Sequence, residues 1–162
     1  YLCKKGKVIN RFTMKKLIAL LITSILSCTS INESPTIAKA NELRIEYSKG
    51  ACFGTCPIYT ISLNTDRLVK YNGKRFVEPQ GLFEWYMPLH DRKILSKIIE
   101  RDELSQSSEY NMRAQDLPLT NLTIYLKTDT IHIKHKGGIP QNLKSSLKEL
   151  EDLLMKNANW NQ

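Results

Sequence analysis

The chain has 162 residues, of which 41% are hydrophobic and 25% are charged, with a formal net charge of +8. These values suit one globular domain preceded by a leader. The positive charge is unevenly placed, because residues 1–28 hold six of the 24 Lys and Arg and no acidic residue. Residues 29–162 contain the remaining 18 Lys and Arg and all 16 Asp and Glu, so their formal net charge is only +2. A folded domain there lacks the clustered positive charge that a nucleic-acid-binding protein needs.

The N-terminal part of the chain is predicted to be an export signal. Met14-Lys15-Lys16 begins a basic segment, and an almost wholly apolar run follows over residues 17–26. That run has about half of the roughly 20 residues that a membrane-spanning helix needs, which is typical of a signal peptide. Residues 1–13 precede Met14 and are interpreted as an upstream extension outside the native protein. The signal peptide is therefore placed at residues 14–28.

Ile25-Leu26-Ser27-Cys28 resembles the lipobox of bacterial lipoproteins, in which the cysteine is diacylated and becomes the new, acylated N-terminus. The resemblance implies a lipid anchor on Cys28 and attachment to a membrane of the bacterial cell envelope, facing the periplasm or the outer membrane. The alternative is plain secretion, or an uncleaved anchor with an incidental Cys28. Residues 29–42 are polar and aperiodic, and they are predicted to form a flexible tether.

Residues 43–157 are predicted to form a single α+β domain that begins with a β meander. Apolar residues that alternate with polar ones predict half-buried strands, and Asn72-Gly73 predicts a type I′ hairpin turn. The predicted strands cover residues 43–47, 59–63, 68–71, 75–77 and 82–87.

The second half of the domain is predicted to contain two helices and a hairpin. Asp91 is expected to cap the first helix, and residues 103–118 are expected to be irregular. A hairpin over residues 122–133 precedes a C-terminal helix, whose one face carries Leu143, Leu147, Leu150 and Leu154. A mostly antiparallel sheet with both helices on one face is the simplest way to bury these patterns.

Two cysteines, in the stretch from Cys52 to Cys56, lie in the loop between the first two predicted strands. In an oxidising compartment the structural interpretation is a Cys52–Cys56 disulfide that closes this loop. A redox pair is an alternative, although the thioredoxin-like motif has two residues between its cysteines and opens a helix. Metal ligation is a further alternative, but two thiols alone do not hold Zn²⁺ or Cu⁺ securely.

His135 is the best candidate for an additional metal ligand. It lies at a strand end and, like Ile131 and Ile133, is expected to point toward the core. Its structural interpretation is a histidine whose hydrogen bonds are satisfied within the fold. Asp116 is expected to accept backbone N–H groups at a bend near Pro118, or alternatively to orient His135. No cofactor is predicted, and a metal ion is the only one that these side chains would suit. The sequence contains no catalytic motif that would point to an enzyme.

These residues resemble a bacterial family known as domain of unknown function 6438, over residues 43–155. The resemblance implies envelope or secreted placement and a small α+β fold, and it implies no reaction. It also implies that Cys52, Cys56, Asp116 and His135 lie close together. The motifs that carry it are residues 52–59, Tyr71 with residues 73–77, residues 116–118 with Thr120, and residues 135–138.

The sequence therefore predicts an envelope-anchored lipoprotein that carries a small binding or interaction domain. Its expected partners are the membrane, through the N-terminal lipid, and an envelope protein, but not nucleic acid. The alternative is a metal- or thiol-dependent site built from Cys52, Cys56 and His135, with Asp116. A third hypothesis is an inhibitor or sensor domain that pairs an exposed sheet edge with a strand of its partner.

Overall fold

A computed structural model describes residues 42–160 of the chain. The predicted signal peptide at residues 14–28, the anchor residue Cys28 and all of the predicted tether but residue 42 lie outside the described residues. Within the described part, no helix is both long enough and apolar enough to cross a membrane.

Seven strands and two α-helices are formed by residues 42–160. The strands are β1 (Arg44–Lys49), β2 (Ile58–Leu63), β3 (Leu68–Arg75), β4 (Gly81–Tyr86), β5 (Ser108–Tyr110), β6 (Thr120–Tyr125) and β7 (Thr130–His135). Helix α1 (Leu89–Ile99) follows β4, and a single 3₁₀ turn (Asp102–Leu104) follows α1. Helix α2 (Gln141–Met155) follows β7.

The strands form one open sheet in the order β4-β3-β2-β1-β6-β7-β5. All neighbours are antiparallel except β5, which runs parallel to β7. The α+β prediction with a mostly antiparallel sheet is confirmed. Alternate strand residues are buried on the face that α1 and α2 cover, as the period of two requires. The opposite face of the sheet carries mostly polar and charged side chains, together with the exposed Leu82 and Tyr86 of β4.

The core consists of the inward-facing strand residues together with one face of each helix. Leu143, Leu147, Leu150 and Leu154 of α2 are all buried, as their spacing predicted. Each fully buried Leu or Ile side chain contributes about 1.5–3 kcal/mol relative to an exposed one. This burial fixes α2 across the sheet, and the polar residues of α2 that lie beside the apolar stripe are thereby held against the strands.

The predicted hairpin turn at Asn72-Gly73 is wrong, and so is the strand predicted at residues 75–77. Strand β3 runs straight through Gly73, which pairs with Tyr59 on one side and with Gly81 on the other. A Cβ on Gly73 would lie 2.4 Å from the Pro79 carbonyl oxygen and 2.9 Å from Cε1 of Tyr71. The glycine is therefore required by close packing in a strand. The chain turns later, between β3 and β4, where Phe76 has a φ of 56°.

The expectation that Asp91 caps α1 is also wrong. The helix begins at Leu89 with Pro88 in the cap position, and no side chain caps it. Asp91 is buried within the first turn, where its carboxylate accepts hydrogen bonds from Lys156 Nζ at 2.8 Å and Asn157 Nδ2 at 2.7 Å. It joins the start of α1 to the end of α2. Residues 103–118, predicted to be irregular, contain the short strand β5, whose three residues are too few to show a period.

Candidate functional site

Four connections meet at one end of the sheet, and we call them together the loop end. Antiparallel pairing places Lys49, the last residue of β1, opposite Tyr59 near the start of β2 and opposite Thr120, the first residue of β6. It also places His135 of β7 opposite Thr120. Tyr110, the last residue of β5, lies beside His135. The loop end consists of these connections together with Lys74 and Arg75 at the end of β3, that is, of residues 50–57, 74–80, 111–119 and 136–140. The chain enters β1 from Leu43 at the opposite end of the sheet.

A disulfide shapes the loop between β1 and β2. Cys52 and Cys56 are bonded to each other, with their Cα atoms 5.8 Å apart, so the predicted disulfide is confirmed. Within the closed loop, the amide of Gly54 donates to the carbonyl of Cys52 at 3.0 Å, and Gly54 has a φ of 145°. The loop turns outward between the two cysteines. The Phe53 side chain is consequently 77% exposed, which is unusual for a phenylalanine.

Backbone and side-chain contacts join the disulfide loop to residues 111–119, and join those residues to residues 136–138. The amide of Gly50 donates to the carbonyl of Leu119 at 2.8 Å. The side-chain amide of Asn111 donates to the carbonyl of Lys136 at 3.1 Å. Gly137 has a φ of 72°, and a Cβ on it would lie 2.5 Å from Cδ1 of Leu117. Residues 50–57, 111–119 and 136–138 therefore form one continuous surface.

The loop end combines exposed apolar side chains with unpaired cations. Of the seven large hydrophobic side chains that are exposed in the described part of the chain, four belong to it, namely Phe53, Phe76, Met112 and Leu117. Four of its basic residues form no ion pair with any described residue, namely Lys74 (at the end of β3), Arg75, Arg113 and Lys136. Two acidic residues, Glu78 and Asp116, lie on the same loops. The Arg75 guanidinium lies over the Phe76 ring, 5.0 Å from its centroid.

A row of polar side chains lies directly beneath the loop end, on the helix-covered face of the sheet. Register pairs Tyr59 with Lys49, Lys49 with Thr120, and Thr120 with His135. Glu151 of α2 lies against this row and accepts hydrogen bonds from Lys49 Nζ at 2.8 and 2.9 Å. The Lys49–Glu151 pair is largely shielded from water, with side-chain exposures of 25% and 15%. It holds α2 beneath the loops.

Two tyrosine hydroxyls complete the shell of Glu151. Tyr47 donates to Oε2 at 3.0 Å, and Tyr59 donates to Oε1. Burial, and then the negative charge of Glu151, raise the pKa of Tyr47 far above its usual value. The hydroxyl therefore remains protonated and acts as a donor across the physiological range. Burial also raises the pKa of Tyr71, whose ring packs against Tyr59 with 5.6 Å between centroids.

His135 lies where its strand parity predicts, half-buried at the end of β7. Its Nδ1 accepts a hydrogen bond from the amide of Gly137 at 3.1 Å, which agrees with the interpretation of a strand-end histidine with a satisfied ring nitrogen. Burial, and then the positive charge of Lys49, lower the pKa of His135 below its usual value. Both effects favour the neutral imidazole at neutral pH.

Asp116 does not take either role expected of it. Its exposed carboxylate has no hydrogen-bond partner among residues 42–160, so it neither accepts backbone N–H groups nor orients His135. Across the same residues, no group of three or more His, Cys, Asp and Glu side chains is arranged to hold a metal ion. Both sulfurs are engaged in the disulfide, so the arrangement gives no support to a metal- or thiol-dependent site.

The sequence patterns point to the cysteines but not to Phe53, Lys49 or Glu151. Phe53 lies within the cysteine motif, yet its exposure depends on the loop geometry. One feature of the sequence does indicate the buried cluster. Aromatic residues recur every twelve positions, at Tyr47, Tyr59, Tyr71 and Phe83. These rings form a continuous diagonal series across β1 to β4.

A family model with the description Domain of unknown function (DUF6438) matches residues 43–154. The match begins just before β1, ends within α2 and includes every strand of the sheet. It contains the disulfide loop, the polar row and Glu151. Comparison with curated proteins gave no match.

Proposed function

We propose that this chain, which belongs to the family Domain of unknown function (DUF6438), is an envelope-anchored lipoprotein whose folded domain binds a partner through the loop end. The anchor is the lipid expected on Cys28. The proposal is for binding, because the loop end exposes apolar and cationic side chains that suit contact with a partner. The partner is a component of the envelope.

The observation that carries this proposal is the exposure of Phe53 on a disulfide-closed loop. Exposing an aromatic ring to water forgoes the roughly 1.5–3 kcal/mol that its burial would contribute. The disulfide limits how far the loop can rearrange to bury the ring, and it reduces the conformational entropy that the loop would lose on binding. A rigid, exposed aromatic residue surrounded by polar groups is the usual form of an energetic anchor at an interface.

The position of the loop end within the domain also favours this function. Residues before Leu43 join the domain at the far end of β1 from the loop end. Six residues of antiparallel strand span about 20 Å, so Leu43, where the tether joins the domain, is separated from the loop end by the length of β1. The proposed binding surface is therefore free of the tether's attachment point.

In-cell photocrosslinking at single positions tests whether the loop end is the surface that meets a partner. A photoreactive amino acid is placed at Phe53 or Leu117, and at Thr65 or Thr128 in the turns at the opposite end of the sheet as matched controls. We expect adducts with an envelope component from the first pair and none from the second. Equal or stronger adducts from the controls would contradict the proposal.

A further inference from the structure

We infer that the partner of the loop end is an anionic phospholipid surface. This inference rests on the proposed function and specifies the chemistry of its partner. The loop end presents exposed apolar side chains, with Phe53 the most exposed of them, beside the unpaired cations Lys74, Arg75, Arg113 and Lys136. Both kinds of side chain suit the surface of an anionic membrane. Aromatic rings prefer the depth of the lipid headgroups, and cations pair with the phosphates.

The shape of the loop end favours a lipid surface over the surface of a folded protein. The nearest depression, lined by Cys52, Phe53, Gln115 and Lys136, is shallow and wide open. Phe53 borders this depression and is nevertheless 77% exposed, and Leu117 is 42% exposed. A soft interface accommodates projecting side chains without a complementary cavity, whereas a protein partner would have to supply one.

The charges of the loop end are free to act on a surface. Lys49 is neutralised by Glu151, and Lys134 on the open face pairs with Glu109. In contrast, Arg75 and Lys136 have no carboxylate partner among the described residues. The acidic Glu78 and Asp116 lie on the same loops and oppose the attraction, so the loop end carries a surplus of two positive charges. That modest surplus suits weak, salt-sensitive contact with a membrane.

The contact would add to the lipid expected on Cys28. The 14 residues from 29 to 42 can span at most about 50 Å when extended, which exceeds the roughly 20 Å length of β1. A membrane that holds the anchor is therefore within reach of the loop end. Weak attraction suffices in that arrangement, because the anchor keeps the local concentration of the domain high.

Fluorescence quenching in vesicles tests the inference with the full-length chain. The chain is reconstituted into vesicles of phosphatidylglycerol or of phosphatidylcholine that contain lipids with brominated acyl chains. Phe53→Trp places a reporter on the loop end, and Thr65→Trp places a matched reporter in the exposed turn between β2 and β3. The native Trp85 and Trp160 give the same background in both variants.

We expect strong quenching and a blue-shifted emission for Phe53→Trp in phosphatidylglycerol, little quenching in phosphatidylcholine, and none for Thr65→Trp in either. A second variant adds Arg75→Gln and Lys136→Gln to Phe53→Trp. At low salt, its equilibrium constant for contact between the loop end and the vesicle should be about thirtyfold lower. The matched control adds Lys93→Gln and Lys97→Gln, two exposed residues of α1, and should lower the same constant by much less. Absence of quenching in phosphatidylglycerol, equal quenching in both lipids, or equal quenching of Thr65→Trp would overturn the inference.

The crosslinking at Phe53 separates failure of this inference from failure of the proposed function. Lipid adducts in cells, together with quenching in phosphatidylglycerol, support both. A defined protein adduct without quenching would overturn the lipid inference and leave the proposed function standing. Neither adduct nor quenching would overturn both.

Discussion

The hydroxyl of Tyr47 on β1 donates a hydrogen bond to the carboxylate of Glu151 on α2 at 3.0 Å, across 104 positions of the chain. Glu151 also binds Lys49 and Tyr59, so a single carboxylate joins the last helix to the first two strands. The same contacts lie directly beneath the loops that hold the exposed Phe53. The arrangement of the proposed binding surface therefore depends on a residue that is itself remote from that surface.

Replacing Glu151 should destabilise the fold measurably. Glu151→Ala leaves Lys49 and the two tyrosine hydroxyls without their acceptor in a partly buried site, and we expect a loss of about 2–4 kcal/mol in the free energy of unfolding. Glu149→Ala removes one exposed ion pair with Arg101 and should cost less than about 1 kcal/mol. Urea unfolding of the two variants measures this difference, and equal losses would show that the cluster contributes no more than a surface pair.

Gly73 should tolerate no side chain. In Gly73→Ala the new methyl group would lie 2.4 Å from the Pro79 carbonyl and 2.9 Å from the Tyr71 ring, so we expect a loss of about 1–3 kcal/mol from overpacking. Gly50→Ala is the matched control, because its nearest neighbour, the Leu119 carbonyl oxygen, would be 3.4 Å away. A Gly73→Ala protein that unfolds at the same urea concentration as the wild type would contradict the packing described here.

The hairpin predicted at Asn72-Gly73 shows where sequence patterns fail in this fold. Locally, the pair matches a type I′ turn, and nothing within a few residues contradicts it. What excludes the turn is the packing of Tyr71 and Pro79 against the bare Cα of Gly73, which depends on the whole sheet. By contrast, the four leucines from Leu143 to Leu154 predicted α2 correctly, because a buried helical stripe is encoded within the helix itself.

Cys52 and Cys56 should be bonded to each other in the protein isolated without reductant. Peptide mapping by mass spectrometry should find the two cysteines in one peptide that gains two hydrogens on reduction. Reduction should cost less than the roughly 3 kcal/mol expected for a 15-residue loop, because this loop is much smaller. It should nevertheless weaken the contact of Phe53 with its partner, through loss of loop rigidity. Two free thiols in the unreduced peptide would contradict the structure.

The lowered pKa of His135 predicts a loss of stability at acid pH. An unfolded histidine titrates near 6.5, whereas the folded imidazole binds its proton only at a lower pH. Between these values the unfolded chain binds more protons, so the free energy of unfolding falls as the pH decreases below about 6.5. The fall due to this residue ends below the folded pKa. His135→Asn should flatten this part of the profile, and superimposable profiles would contradict the assignment.

The candidate site was only partly predictable from its residues. The spacing of Cys52 and Cys56 and the expected compartment identified the disulfide, and strand parity placed His135 on the covered face. Asp116 does not form the hydrogen bonds expected of it, because the loop of residues 111–119 is positioned by Asn111 and Leu117, which contact Lys136 and Gly137. Contacts of that kind join distant parts of the chain, so local sequence patterns do not predict them.

The central claim is that the domain works at a bacterial envelope, held there by lipid on Cys28. Metabolic labelling with radioactive palmitate, followed by fractionation of the cells, tests it most directly. We predict label in the wild-type protein and its recovery with membranes, and neither in Cys28→Ser, while Cys52→Ser with Cys56→Ser retains both. An unlabelled wild-type protein that stays in the cytosol at full length would contradict the claim.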